Sequence, residues 1–256
     1  MTDTIARIVE KFTMNIDGPE PGHDSWFLDY VLRSPKEAGR HLTAGWMALG
    51  SLTEIYGSTD IGFVQEFFGG MGAQALMVQS IFRPELHVVQ EYSWEAVQHL
   101  EKVLPYPHEV DVRHADAYDA AESSWSPTIP GLTPDLVMLD FGDLTCWKTR
   151  EGEQHRDLLA RVFLLEPKAV VFTDIACRYL HLHRERYESL LGPGTCNTYV
   201  QYLHALVERM RDLYGYRLHK GYWDRWSTVM AMVPEDIEGN SMLIPTPESP
   251  VGLELF

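Results

Sequence analysis

From residue 61 onward the chain alternates two hydrophobic patterns. Short runs of consecutive apolar residues are followed by stretches whose apolar positions recur every three or four residues. The first pattern predicts strands buried on both faces, the second amphipathic helices. "IGFVQEFF" predicts a strand running into glycines, and "AQALMVQSIF" a helix after them. "ELHVVQE", "HEVDVRHAD", "PDLVMLDF" and "KAVVFTD" predict four more strands. Between and after them, "SWEAVQHLEKVL", "EGEQHRDLLARVFLL" and "CNTYVQYLHALVERMRDLYG" predict helices. In the first of these, Ser93 is a candidate N-cap, with Trp94, Val97, Leu100 and Leu104 on one face. "AAESSWSPTIPGLTP" reads as a surface loop.

Strand-helix alternation implies a mainly parallel sheet covered on both faces, an α/β fold of Rossmann-like type. "YRLHKGYW" and "STVMAMVP" have no helix between them and predict an antiparallel last pair. Residues 1–58 carry mixed three-and-four spacing without a strand signal, with Asp24 available as a cap. They predict a helical N-terminal cap lying as a lid over the strand ends. Residues 59–234 then form the sheet domain. Residues 235–256, with Pro245, Pro247 and Pro250, are expected to form an irregular C-terminal tail.

Composition narrows the function. With 37 acids against 21 Lys and Arg, the formal net charge is −16, a field that repels polyanions and disfavours nucleic acid as a partner. Cys146, Cys177 and Cys196 are scattered, which suggests neither a disulfide framework nor a zinc site and fits a reducing cytoplasm. No apolar run approaches the roughly 20 residues of a membrane span, so a soluble protein is expected.

Ligands of parallel sheets bind at the carboxyl ends of the strands, near the point where strand order reverses. Here each strand ends in or beside a glycine or an acid: the turn after Phe67, then Glu91, Asp116, Asp140 and Asp174. Two cofactors suit "EFFGGMGAQA". Gly70, Gly72 and Ala75 fit a dinucleotide fingerprint, with Glu91 21 residues after Gly70 for the ribose. More of the chain resembles class I S-adenosylmethionine-dependent methyltransferases. In their acid-x-G-x-G-x-G turn, Glu66 stands as the leading acid and Gly70 and Gly72 as the later glycines, while Phe68, beside Gly69, replaces the first. The resemblance extends through "VVQEYS", "HADAYD", "PDLVMLDF" and the last strand pair, covering about residues 61–234. It implies S-adenosylmethionine as cofactor, with Glu91 on the ribose hydroxyls, Tyr92 against adenine, and Asp116 and Ala117 at the adenine amino group. Glu66, Phe67 and Phe68 would form an acidic, aromatic mouth suited to the cationic sulfonium.

The segment after the fourth strand should face the transferred methyl. Asp140 is the first candidate for orienting or deprotonating an acceptor, and Asp143 the second. The Asp/Asn-Pro-Pro-aromatic run of nucleobase-amine methyltransferases is missing, so a small molecule or another acceptor that is not a polyanion is expected. Asp140 and Asp174 end adjacent strands, where catechol-type O-methyltransferases hold a metal, but the Asp-Asn of that pattern is Asp174-Ile175 here and no metal is expected. The alternatives are a catalytically silent S-adenosylmethionine-binding or interaction protein of the same fold and, further off, an NAD-binding protein. Neither the acceptor's identity nor the oligomeric state follows from the sequence.

Overall fold

The computed structural model of the chain describes residues 35–69, 72–104, 110–115, 132–139, 158–174, 180–223 and 227–245. Its centre is a sheet of eight strands in the order β3-β2-β1-β4-β5-β7-β6-β8. Strands β1 (Phe63–Phe67), β2 (Leu86–Glu91), β3 (Val110–His114), β4 (Leu136–Leu139) and β5 (Ala169–Asp174) run parallel. β7 (Thr228–Pro234) pairs antiparallel with both β5 and β6 (Tyr216–Trp223), the expected hairpin. Strand order reverses between β1 and β4, which places the carboxyl end of β1 at the switch point.

Two layers of helix bury the sheet. Val64, Val89, Leu136, Met138, Val171, Val229 and Ala231 face helices α1 (Pro35–Tyr56), α2 (Ala73–Ile81) and α3 (Trp94–Val103). Phe67, Val137, Leu139, Val170, Phe172, Met230 and Met232 face α4 (residues 158–164), α5 (Leu180–Leu191) and α6 (Tyr199–Tyr214). Side chains alternate across a strand, so the run Leu-Val-Met-Leu of β4 feeds both cores and is wholly buried. Each such Leu or Val contributes about 1.5–3 kcal/mol through its burial. Local chemistry sets the helix starts. Ser93 caps α3 by accepting from the Ala96 N–H, as its sequence position predicts. Thr198 and Gln201 form a reciprocal capping box at α6, and Gly215 ends that helix in the left-handed conformation.

Three details depart from the expectations. The described part of the N-terminal helical region, α1, does not roof the strand ends; it lies on one sheet face against β7, β6 and α2, with Leu42, Ala44, Ala48, Leu49 and Leu52 buried. Residues 1–34, including Asp24, lie outside the described residues. The tail is not irregular throughout, because Met242–Pro245 forms β8, parallel to β6. β6 would otherwise present an unpaired edge, and Gly221, lacking a side chain, lets Leu243 close in: a Cβ there would sit 2.6 Å from Leu243 Cδ2. Trp94 does not share the buried stripe of α3. Val97, Leu100 and Leu104 are buried, whereas Trp94 is 52% exposed and meets the His114 ring edge-on at 5.3 Å.

Candidate functional site

The carboxyl end of β1 carries strained backbone. Phe68 adopts φ 62° and Gly72 φ 82°, the left-handed region that costs a residue with a Cβ about 1–2 kcal/mol. Phe68 thus stands where the sequence pattern calls for glycine, in a conformation that favours glycine. The turn folds down onto β2: the Gly69 N–H donates to the Gln90 carbonyl at 3.0 Å, and the Gly72 N–H to the Gly69 carbonyl at 2.9 Å. A Cβ on Gly69 would lie 2.3 Å from Val89 Cγ1, and one on Gly72 2.5 Å from Leu100 Cδ2. Both glycines are therefore demanded by close approach, and Gly72 also by its backbone angle. Gly72 is the N-cap of α2, so the turn delivers the chain directly into a helix. Gly70 lies outside the described residues.

Beside the turn, at the end of β2, Glu91 is half-buried and its Oε1 accepts from the Ser93 N–H at 2.8 Å. That bond ties the carboxylate to the start of α3. Tyr92 follows and is 71% exposed, while its carbonyl lies 2.7 Å from His114 Nε2. β3 runs alongside, with the Ala115 N–H donating to the Glu91 carbonyl, so the chain leaving β3 toward Asp116 starts next to Glu91. Asp116 and Ala117 lie outside the described residues, as do Asp140 and Asp143 after β4.

The other two members of the expected mouth are buried. Phe67 is 1% exposed and belongs to the core under α4–α6, against which Phe68 packs while remaining partly exposed. Glu66 has no exposure and points to the opposite face. There its Oε2 lies 3.2 Å from Nε2 of His87, which is equally buried, and His87 Nδ1 lies 3.1 Å from Gln79 Nε2 of α2. Sequence reasoning singled out Glu66 but neither partner. The register that pairs Val64 with His87 brings them together.

A second buried acid ends β5. Asp174 Oδ2 accepts from the Tyr202 hydroxyl at 2.8 Å and Oδ1 from Tyr199 at 3.3 Å, and the Tyr199 hydroxyl lies 2.6 Å from Thr228 Oγ1. Both oxygens of Asp174 are thus engaged by phenols, which disfavours a role as metal ligand. Sequence reasoning did not find this network; its faint signal is two tyrosines three apart at the start of an amphipathic helix. Among the described residues no group of three His, Cys, Asp or Glu side chains converges as metal ligands. Cys196 is buried and its thiol pKa is pushed up by that burial, the setting of a packed thiol. A cavity of about 610 Å³ also exists, but at the opposite, amino-terminal edge of the parallel strands, between Tyr56, Asp60, Glu166, Tyr214, Tyr216 and Asp236. It lies far from the glycine turn along the strands. Burial and the nearby Asp236 raise the Tyr56 pKa to about 12.

No family profile matches the chain, and neither does any curated protein sequence. Solved structures do. PH1948 of Pyrococcus horikoshii, assigned as an RNA methyltransferase, superposes with a TM-score of 0.54 at 12% identity, covering 92% of this chain and 98% of its own. The plantazolicin methyltransferase BamL, solved with a triazolic desmethylPZN analog and SAH, gives 0.53 at 9% identity over 92% and 98%. The methyltransferase domain of a bacterial Hen1 gives 0.51 at 10% identity over 76% and 98%. Identities this low speak for the fold, and they agree with the strand order and the antiparallel last pair. The chain has the Rossmann-like fold of the class I methyltransferases.

Proposed function

We propose that this chain binds S-adenosylmethionine at the carboxyl ends of β1, β2 and β3 and transfers its methyl group to a small molecule or another acceptor that is not a polyanion. One observation carries the reading: a strained, glycine-dependent turn at the switch point sits one strand away from a half-buried acid, Glu91, already oriented by the Ser93 N–H. The backbone of Phe68 to Gly72 is the floor of the cofactor site. Glu91 accepts from the ribose hydroxyls, Tyr92 covers adenine from its exposed position, and Asp116 and Ala117 meet the adenine edge. Phe67 supports the turn from the core side, and Glu66 is buried on the other face against His87. The SAH bound to BamL supports the choice of cofactor.

The bound cofactor would supply an electrophilic methyl group on a sulfonium. The chain's part is to align the acceptor and remove its proton, and Asp140, with Asp143 as second candidate, is assigned that role at the end of β4. The acceptor is argued from charge: at −16 the chain repels polyanions. Phe68 at the position of the pattern's first glycine favours a second reading, a protein that binds the cofactor without turning it over.

Calorimetry with S-adenosylmethionine, its demethylated product and NAD tests the first step; binding of NAD alone overturns the proposal. Glu91→Ala should weaken S-adenosylmethionine by about 1.5–3 kcal/mol, the value of a hydrogen bond to a charged group, and wild-type affinity in that variant would remove Glu91 from the site. Product formation across a panel of hydroxyl, amine and thiol acceptors, lost in Asp140→Ala, separates the enzyme from the silent binder.

A further inference from the structure

We propose that His114, the last residue of β3, is a positioning residue for the cofactor site: its ring holds the link from β2 to α3 in the shape that presents the Glu91 carboxylate to the ribose. The inference rests on the cofactor reading above and adds a residue that acts through Glu91.

Only Tyr92 and Ser93 separate the end of β2 from the start of α3. The end of β3 grips that link at successive carbonyls. The Ala115 N–H donates to the Glu91 carbonyl at 3.0 Å, one step past the last ladder pair of Glu91 with His114. His114 Nε2 lies 2.7 Å from the Tyr92 carbonyl oxygen. A carbonyl can only accept, so the proton sits on Nε2 and the ring donates it. The acid supplies a further tie, since Glu91 Oε1 accepts from the Ser93 N–H at 2.8 Å. Trp94, the first residue of α3, meets the imidazole edge-on with ring centroids 5.3 Å apart. The His114 ring therefore bridges the carbonyl before the helix and the side chain that begins it. Core packing cannot do this work here. Val88, Val89 and Gln90 are buried, whereas Glu91 is half-buried and Tyr92 is 71% exposed. Beyond Gln90, hydrogen bonds set the course of the chain. His114 is itself exposed, so water competes for the same carbonyl and the bond adds little to folding. Its effect falls on the shape of the link. A ligand-binding group is preorganised when such bonds hold it before the ligand arrives, and a link that samples other shapes binds only through its competent fraction.

Calorimetric affinities for the demethylated product provide the test, measured in the wild type, His114→Ala, Glu91→Ala and the double variant. His114→Ala should weaken binding by about three- to tenfold, the range open to the loss of one neutral hydrogen bond. In the Glu91→Ala background the same substitution should cost less than about twofold, because the group it positions is gone. His114→Gln, which carries an N–H at nearly the place of Nε2, should restore affinity to within about twofold of the wild type. Undiminished affinity in His114→Ala, or an equal loss in both backgrounds, overturns the inference and leaves the cofactor reading standing. A His114→Gln protein as weak as His114→Ala overturns it too, since the ring's bulk against Trp94 and not its donor would then matter. Failure of the wild type to bind either S-adenosylmethionine or its product removes the inference and the cofactor reading together.

Discussion

Two buried acids end strands of the same sheet, and they are held in opposite ways. Glu66, on β1, meets His87 of β2, which in turn meets the Gln79 amide, and its strand runs into backbone bent into the left-handed region at Phe68 and Gly72. Asp174, on β5, is gripped by two phenols and lies among three stacked or edge-on tyrosines, with ring centroids 5.3 Å apart for Tyr187 and Tyr202 and 5.8 Å for Tyr199 and Tyr202. The Asp174 network joins β5, α6 and β7, elements that regular packing already fixes. The Glu66 network joins β1, β2 and α2 around a turn that regular packing would not produce. The contrast teaches that a buried carboxylate is a functional candidate because of the backbone its strand leads into, and burial by itself says little. Asp174 ties β5, α6 and β7 together; Glu66 lies on the strand that enters the strained turn.

The largest effect should therefore be on stability, and on the Asp174 side. Asp174→Ala removes the charged acceptor of the Tyr202 hydroxyl and one of the two partners of the Tyr199 hydroxyl, which keeps Thr228; at about 1.5–3 kcal/mol for each hydrogen bond to a charged group, unfolding in urea should lose about 4 kcal/mol. Cofactor affinity in the folded fraction should stay within twofold. A stable Asp174→Ala that binds S-adenosylmethionine much more weakly would erase the distinction between the two acids.

Next comes the turn itself. Gly72→Ala places a Cβ in a left-handed residue 2.5 Å from Leu100 Cδ2. The backbone term is about 1–2 kcal/mol and the repacking of α3 about 1 kcal/mol more. A fall of about 2–3 kcal/mol in stability should accompany a loss of cofactor affinity, because the turn shifts with it. Unchanged affinity at lowered stability would make this glycine a packing device and nothing else.

The turn and the strand framework were legible in the sequence because their signals are local. A buried parallel strand is a run of apolar residues such as "LVML", and a cradle needs small residues in a row. Ser93 was legible as a cap for the same reason. What was not legible depends on register. His87 looks like a lone polar residue inside a strand until β1 and β2 are aligned, and Asp174 meets its tyrosines only once α6 packs on β5 and β7. β8 has four residues ending in proline, with too little pattern to predict a strand; its cause is the open edge of β6. Trp94 falls on the apolar spacing of α3 yet faces outward, since the first turn of that helix overhangs β3 and meets His114.

A second comparison sets two buried histidines side by side, because the face of the sheet that buries His87 also buries His219. The pairing of β6 with β7 skips a residue between Leu218 and Lys220, leaving His219 as the bulged position, 7% exposed, with Nε2 donating to the Ser51 carbonyl of α1 at 3.2 Å. Its Nδ1 has no partner among the described residues, unlike that of His87. Burial holds its pKa below the usual 6.5, so near neutrality both folded and unfolded chains carry it uncharged. As the pH falls below 6.5 the unfolded chain takes up the proton first, and stability declines until the folded-state pKa is reached. The slope is at most about 1.4 kcal/mol per pH unit for one group. His219→Gln should flatten the urea-unfolding profile below the usual 6.5 of a histidine. A profile as steep as the wild type's would assign the acid sensitivity elsewhere, with His99, whose pKa burial also lowers, the next candidate.

The smallest effect should come from Phe68, where strain and contact oppose each other. Phe68→Gly relieves a φ of 62°, worth about 1–2 kcal/mol. It also adds the freedom of a glycine to the unfolded chain, at about 0.5–1 kcal/mol, and gives up the contacts of a partly exposed ring with the α4–α6 core. These terms nearly cancel, so the midpoint of urea unfolding should move by less than about 1 kcal/mol equivalent, in either direction. Phe67→Ala, one residue earlier but fully buried, should instead lose about 3–5 kcal/mol. If Phe68→Gly proves as damaging as Phe67→Ala, the ring is a core residue and its strained backbone is incidental. If stability holds while cofactor affinity falls, the aromatic ring is kept in a glycine's place for what it touches above the turn.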